Sequence, residues 1–102
     1  HVTWQELNRH RVVVYSTSWC PDCHRLKRIL QAQAVAFAEV DIDADPAAAA
    51  RLRALTGRTA IPFVQVDGGP LVRGWHEQAP GRFSEALFLA EIGAVLTGVG
   101  NA

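Results

Sequence analysis

The sequence has no methionine, a single tyrosine and only two cysteines, Cys20 and Cys23, among its 102 residues. So few cysteines exclude a fold stapled by several disulfides, and a chain of this length can build its core from apolar side chains instead. No apolar run approaches the roughly 20 residues that a membrane-spanning helix needs. An excess of one charge is missing too: ten Lys and Arg balance ten Asp and Glu. Binding to nucleic acid or to a membrane surface by bulk charge requires surplus cations, so neither partner is expected. There is no internal repeat and no linker-like stretch, and no signal-peptide pattern opens the chain. It begins at His1, so further residues upstream are expected. What is present, 49% hydrophobic and 20% charged residues, is the composition of one folded domain.

The two cysteines lie in Ser18-Trp19-Cys20-Pro21-Asp22-Cys23-His24. An unbroken apolar run, Val12-Val13-Val14-Tyr15, precedes them and predicts a strand over about 12–16, covered on both faces. Leu26, Ile29 and Leu30 follow at helical spacing. They predict a helix over about 21–33 that starts on Pro21, buries Cys23, Leu26 and Leu30 with Ile29 and Ala34 beside them, and exposes Arg25, Lys27, Arg28 and Gln31. On this reading Cys20 stands exposed at the helix start while Cys23 points into the core.

Elsewhere, Thr3-Trp4-Gln5-Glu6 has the form of a capping box and predicts a short helix to about Arg9, pinned by Trp4 and Leu7. Residues 37–42 alternate apolar and polar, the pattern of a strand with one buried face. Asp45-Pro46 opens a helix that Gly57 ends. Phe63–Val66 and 70–73 form two further strands around the turn Asp67-Gly68-Gly69, with Pro70 tolerated at an edge and Gly74 as the break. A last helix is expected from Phe83 to about Leu96, then a loose tail marked by Gly98 and Gly100. The domain divides into a helical extension over 1–10, a folded unit over 11–97 and a flexible tail over 98–102.

Two cysteines two residues apart at the start of a helix point to disulfide exchange. The attacking species is the thiolate, and the free N–H groups and dipole of a helix N-terminus favour a negative sulfur there. Lowering a cysteine pKa from about 8.5 to about 7 raises the thiolate fraction at pH 7 from roughly 3% to roughly half. Asp22 opposes that charge, whereas His24, Arg25, Lys27 and Arg28 act in the opposite sense. In the mechanism so implied, Cys20 attacks a substrate disulfide, and Cys23 then attacks the mixed disulfide and releases the reduced substrate. A CxxC pair without an export signal suits the reducing cytoplasm.

Tyr15-Ser16-Thr17-Ser18-Trp19-Cys20-Pro21-Asp22-Cys23, Val40-Asp41-Ile42-Asp43, Ala60-Ile61-Pro62-Phe63 and Asp67-Gly68-Gly69 together resemble the glutaredoxin family of the thioredoxin superfamily. The likeness covers about residues 11–97 and is nearest to glutaredoxin-like, mycoredoxin and NrdH-type redoxins. It implies a thioredoxin-like α/β fold, a four-stranded mixed sheet flanked by helices in the order β-α-β-α-β-β-α. It implies a cis Pro62, a backbone at Ile61 that receives the substrate chain, and a substrate surface of Trp19, Pro21, Asp22, Ile61, Pro62, Gly74 and Trp75. Cys20 and Cys23 are the catalytic pair by the same resemblance, in a monomer with no bound cofactor or metal. Its substrates are protein disulfides or small-thiol mixed disulfides. Its reductant is a low-molecular-weight thiol such as glutathione, mycothiol or bacillithiol, or a thioredoxin reductase. The chain departs from the family at Asp22, commonly Tyr, and at Ala60-Ile61, commonly Thr-Val. The family's glycine pair followed by acids is matched only by Gly74 and Glu77.

Other chemistries share these residues. Cys20, Cys23, His24 and His76 are of zinc-ligating type, but no second CxxC or close His pair accompanies them. Cys20-x-x-Cys23-His24 has the form of a c-type haem attachment sequence, but no Met supplies an axial ligand. A non-catalytic thioredoxin-fold adaptor or redox sensor is the third alternative; such a protein keeps the groove while losing a cysteine or the proline, and this chain has all three. His10 and His76 read as surface residues. Arg51, Arg53 and Arg58 read as a solvated helix face that could also meet a thiol's carboxylates.

Overall fold

Four strands form one sheet: β1 (Val12–Ser16), β2 (Ala38–Asp41), β3 (Phe63–Val66) and β4 (Leu71–Arg73). The computed structural model describes residues 2–98 and orders them β2-β1-β3-β4. β2 runs parallel to β1, whereas β3 is antiparallel to both β1 and β4, so the sheet is mixed. A parallel neighbour needs a crossover, and α2 (Pro21–Ala32) makes it. The other helices are α1 (Trp4–Leu7), α3 (Pro46–Thr56) and α4 (Glu85–Thr97), with a short 3-10 turn at Pro80–Arg82.

Alternation along β1 explains the two layers. Val12 and Val14 pack with Leu26 and Leu30 of α2, Phe88 and Ile92 of α4, and Leu7 of α1. Tyr15, with Val13 beside it, faces the other way, onto Ala48 and Leu52 of α3 and onto Phe63. A strand covered on both faces is therefore apolar throughout, as its sequence requires.

Side-chain caps set most helix ends. Thr3 Oγ1 accepts from the Glu6 N–H at 3.1 Å, Asp45 Oδ1 from Ala48 at 3.1 Å and Ser84 Oγ from Leu87 at 3.1 Å. α3 ends at Gly57 with φ +79° and α4 at Gly98 with φ +74°, the left-handed conformation that a side chain disfavours.

Several expectations need correction. α4 starts at Glu85 rather than Phe83, because Ser84 is the residue whose hydroxyl can cap it while Phe83 stays extended at φ −149°. β2 lies at the sheet edge, so none of its residues is fully buried, although Val40 reaches the layer beneath α3. Ala34 leaves the α2 face and is exposed, with φ +58° just past the helix end. Gly98 is the ordered cap of α4, and the tail expected beyond it, 99–102, lies outside the described residues.

Candidate functional site

The register gathers the candidate residues at one end of the sheet. Tyr15 at the end of β1 pairs with Phe63, and Phe63 pairs with Arg73. The loop leaving β1 therefore lies beside Ile61 and Pro62, which enter β3, and beside Gly74 and Trp75, which leave β4. The Ile61–Pro62 bond is cis. The Gly74 N–H donates to the Pro62 carbonyl at 3.1 Å. Gly74 owes its identity to packing: a Cβ there would lie 2.6 Å from Leu26 Cδ2 and 3.3 Å from Pro62 Cγ. Only glycine lets β4, cis-Pro62 and α2 meet without displacement.

Cys20 is the N-cap of α2, and its Sγ accepts the Cys23 N–H at 3.2 Å. The sulfur thus takes the part that a Ser or Asp oxygen plays at other helix starts. Capping also turns it back over the first helical turn, so Cys20 is only 5% exposed, not open to solvent as its place at the helix start suggests. Cys23 is fully buried, as expected. Its thiol is pushed up to about 12, first by burial and then by its hydrogen bond with the Cys20 side chain; a backbone hydrogen bond from Thr17 and the charge of Lys27 pull the other way. Both cysteines are free thiols.

Around the pair, Trp19 is 67% exposed and its indole Nε1–H donates to Asp43 Oδ2 at 2.7 Å. That bond holds an aromatic plate beside Cys20 and gives Asp43, to which the sequence assigns no part, a positioning role. Trp19, Pro21, His24, Arg25 and Arg28 line an open depression of about 450 Å³. Asp22 faces Arg25, whose Nη1 donates to it at 2.6 Å, so the carboxylate next to the cysteines is countered one turn along. Lys27 does not extend into solvent as expected; its ammonium folds onto Glu39 of β2. His24 Nε2 donates to the Ser18 carbonyl at 2.6 Å and shapes the loop.

Arg73 escapes sequence reasoning altogether. Its guanidinium carbon lies 5.3 Å from the Phe63 ring centre and 4.9 Å from that of Trp75, and Nη2 donates to the Ile61 carbonyl at 3.3 Å. Burial, and then the neighbouring charge of Arg58, lower its pKa, while Asp22, Cys20 and Cys23 act in the opposite sense. It is a half-buried cation braced on two aromatic rings. The one signal is its position next to Gly74, where the chain must pass close to its neighbours.

The zinc set is not brought together. His76 receives the Ser84 N–H at Nδ1 (3.1 Å) and meets Glu91 through Nε2 (2.9 Å), so it ties the loop after β4 to α4. Among the described residues no cluster of His, Cys, Asp or Glu has metal-binding geometry. Trp4 packs against Phe88 with ring centres 5.8 Å apart, as a structural residue. His10 is held by Asp67 at 2.6 Å, at the opposite end of the sheet from the cysteines.

Comparison with known proteins bears on this arrangement. Residues 12–70 match the family model described as Glutaredoxin. A glutaredoxin of Pseudomonas aeruginosa is 40% identical over 55 residues, covering 54% of this chain and 66% of that protein, just under two thirds of its length. Among solved structures, a mutant of the thioredoxin-like protein BC3987 superposes with a TM-score of 0.60 at 28% identity, over 80% of this chain and 99% of that one. A buckwheat glutaredoxin in complex with glutathione superposes with a TM-score of 0.55 at 25% identity, over 69% and 66% of the two chains.

Proposed function

The chain belongs to the glutaredoxin family, with a thioredoxin-like fold, and on that premise we propose that it is a dithiol thiol-disulfide oxidoreductase working through Cys20 and Cys23. One observation carries the reading: two free thiols share the first turn of α2, one capping the helix and the other wholly buried beneath it. The first suits attack on an outside disulfide and the second suits internal resolution.

Cys20 thiolate attacks one sulfur of the substrate disulfide, and the other sulfur leaves as a thiolate that takes a proton from water. Cys23 then attacks Cys20 Sγ and expels the bound half, leaving a Cys20–Cys23 disulfide that an external thiol or reductase must reduce. The Ile61 backbone beside cis-Pro62 receives the substrate chain, and Trp19, Pro21, Asp22 and Trp75 line its approach. Gly74 serves this surface by letting it close. The substrates are protein disulfides or mixed disulfides with small thiols, in a reducing compartment such as the cytoplasm. The glutathione held by the buckwheat relative supports a small-thiol reductant. A thioredoxin reductase is the alternative reductant.

The test offers the oxidised protein each reductant in turn and follows Trp19 fluorescence. Reduction by glutathione or another small thiol makes this a thiol-fed glutaredoxin; reduction only by thioredoxin reductase with NADPH makes it a thioredoxin-like member of the family. No reduction by any of them contradicts the proposal and favours a non-catalytic adaptor.

A further inference from the structure

The resolving step asks most of Cys23, which must ionise although no part of it reaches solvent. Two of the influences that hold its proton come from Cys20, through a hydrogen bond and through charge. The charge is gone once Cys20 is tied up in a mixed disulfide, and a neutral disulfide sulfur is a weaker acceptor than a thiolate. Burial then remains on one side, and the Thr17 backbone N–H and Lys27 on the other.

Lys27 lies four residues after Cys23 on α2, one turn along the same side of the helix. A lysine on a solvated helix face normally extends into water, but this side chain is only 14% exposed. Its Nζ lies 2.5 Å from Glu39 Oε2, and the buried Ser16 hydroxyl donates to the same oxygen at 2.6 Å. The sheet delivers that carboxylate: Glu39 pairs with Val14 across the parallel β1–β2 ladder and so points to the α2 side. Ser16 is followed directly by Thr17, whose backbone touches Cys23. A cation and its counter-ion thus sit one helical turn from the buried sulfur, near the start of α2.

We propose that Lys27 and Glu39 are positioning residues for resolution: Lys27 supplies the positive charge beside which Cys23 ionises, and Glu39 sets how much of that charge Cys23 feels. The inference rests on the dithiol reading above and deepens it. In the step itself, Cys23 loses its proton to solvent and its thiolate attacks Cys20 Sγ. The S–S bond to the substrate breaks, the substrate sulfur leaves with the electron pair and takes a proton from water, and the cysteine pair is left oxidised. Other charged groups face the same space. The charges of Arg73 on β4 and the two cysteines act on one another, His24 acts on Glu39 from α2, and Asp22 is held by Arg25. None of these is bonded to Glu39 as Lys27 is.

The experiment uses a symmetric aromatic disulfide, dithiobis-nitrobenzoate, with the reduced full chain in stopped flow across the neutral to mildly alkaline range. The first coloured thiolate released reports attack by Cys20, and the second reports resolution by Cys23. Lys27→Met keeps the aliphatic stem and removes the charge; it should slow the second phase and move its pH profile to higher pH. Glu39→Gln keeps the shape and frees the lysine from its counter-ion; it should speed the second phase and move the profile to lower pH. Lys27→Arg should restore the wild-type profile. Because a more acidic thiol gives a weaker nucleophile, a tenfold change in the acidity of Cys23 should change the rate by only about threefold.

The opposite signs carry the test, since both variants break the same ion pair. Profiles that move in one direction, or in neither variant, would make the pair a structural tie and overturn the inference. A wild-type protein that releases only one thiolate and stays as an adduct would instead overturn the dithiol reading beneath it. Should Lys27→Met fail to fold, Glu39→Gln and Lys27→Arg still decide the outcome by the direction of the first and the retention of the second.

Discussion

Cys20 and Cys23 are three positions apart, yet one caps a helix and the other is sealed under it, and the proposed chemistry draws on this difference. The burial that pushes the Cys23 thiol up to about 12 also makes a prediction about stability. Its folded pKa lies above the ordinary value of 9.0, so its contribution is complete below pH 9 and is lost as pH rises through about 12. The reduced protein should therefore weaken over that window in denaturant titrations, and Cys23→Ser should flatten that limb. At Gly74, an alanine Cβ would meet Leu26 and Pro62, so Gly74→Ala should cost about 1–3 kcal/mol by overpacking, read as a lower unfolding midpoint. Arg73→Leu removes a cation braced on two rings and should cost about 1 kcal/mol in the same assay. At this scale the sequence is only partly legible. The cysteine pair announces itself by spacing and context, and Pro62 by the resemblance to glutaredoxins. Arg73 does not, because a cation on a short strand has no pattern; only the register that sets it against Phe63 reveals it. The burial of Cys20 is hidden for a different reason: nothing in the sequence says that its sulfur turns back to cap the helix.

The elements follow local rules closely. Asp45-Pro46 and Gly57 bound α3 as their backbone preferences require, and the β3–β4 hairpin turns at Asp67-Gly68-Gly69. Where periodicity alone set a boundary, as at Phe83, the nearest capping hydroxyl moved it by two residues. Placement in the sheet lies beyond local pattern: residues 37–42 alternate like a half-buried strand, but the edge position leaves Glu39 exposed enough to serve α2 instead. That link makes an element-scale prediction. The Glu39 carboxyl is held below the ordinary 4.5, first by its bond to Lys27 and then by that to Ser16. A depressed folded pKa contributes stability above about 4.5 that is lost as pH falls through the folded value. The acid limb of the stability curve should therefore be shallower in Glu39→Gln than in the wild type. At the other end, α1 is a single turn held by Trp4 stacked on Phe88 and hydrogen-bonded to Glu85 at 3.1 Å. Trp4→Ala should cost roughly 1–3 kcal/mol, since most of what it loses is buried apolar contact.

For the whole molecule, the sheet order is what makes a site from distant pieces. Cys20, Ile61, Pro62, Gly74 and Trp75 span more than half the chain, and the β1–β3–β4 register brings them to one end. Local signals could not supply that order; the resemblance to glutaredoxins gave a four-stranded mixed sheet, and the structure adds the order of its strands. The central claim is that Cys20 attacks and Cys23 resolves. It is tested most directly by incubating the reduced wild type and a Cys23→Ser variant with a glutathionylated peptide, quenching with acid and weighing the protein by mass spectrometry. The predicted result is a wild type that has lost two hydrogens to an internal disulfide, and a variant that carries the glutathionyl or peptide adduct on Cys20. A wild type that keeps the adduct, a variant that takes none, or two unmodified proteins beside an intact substrate, would contradict it.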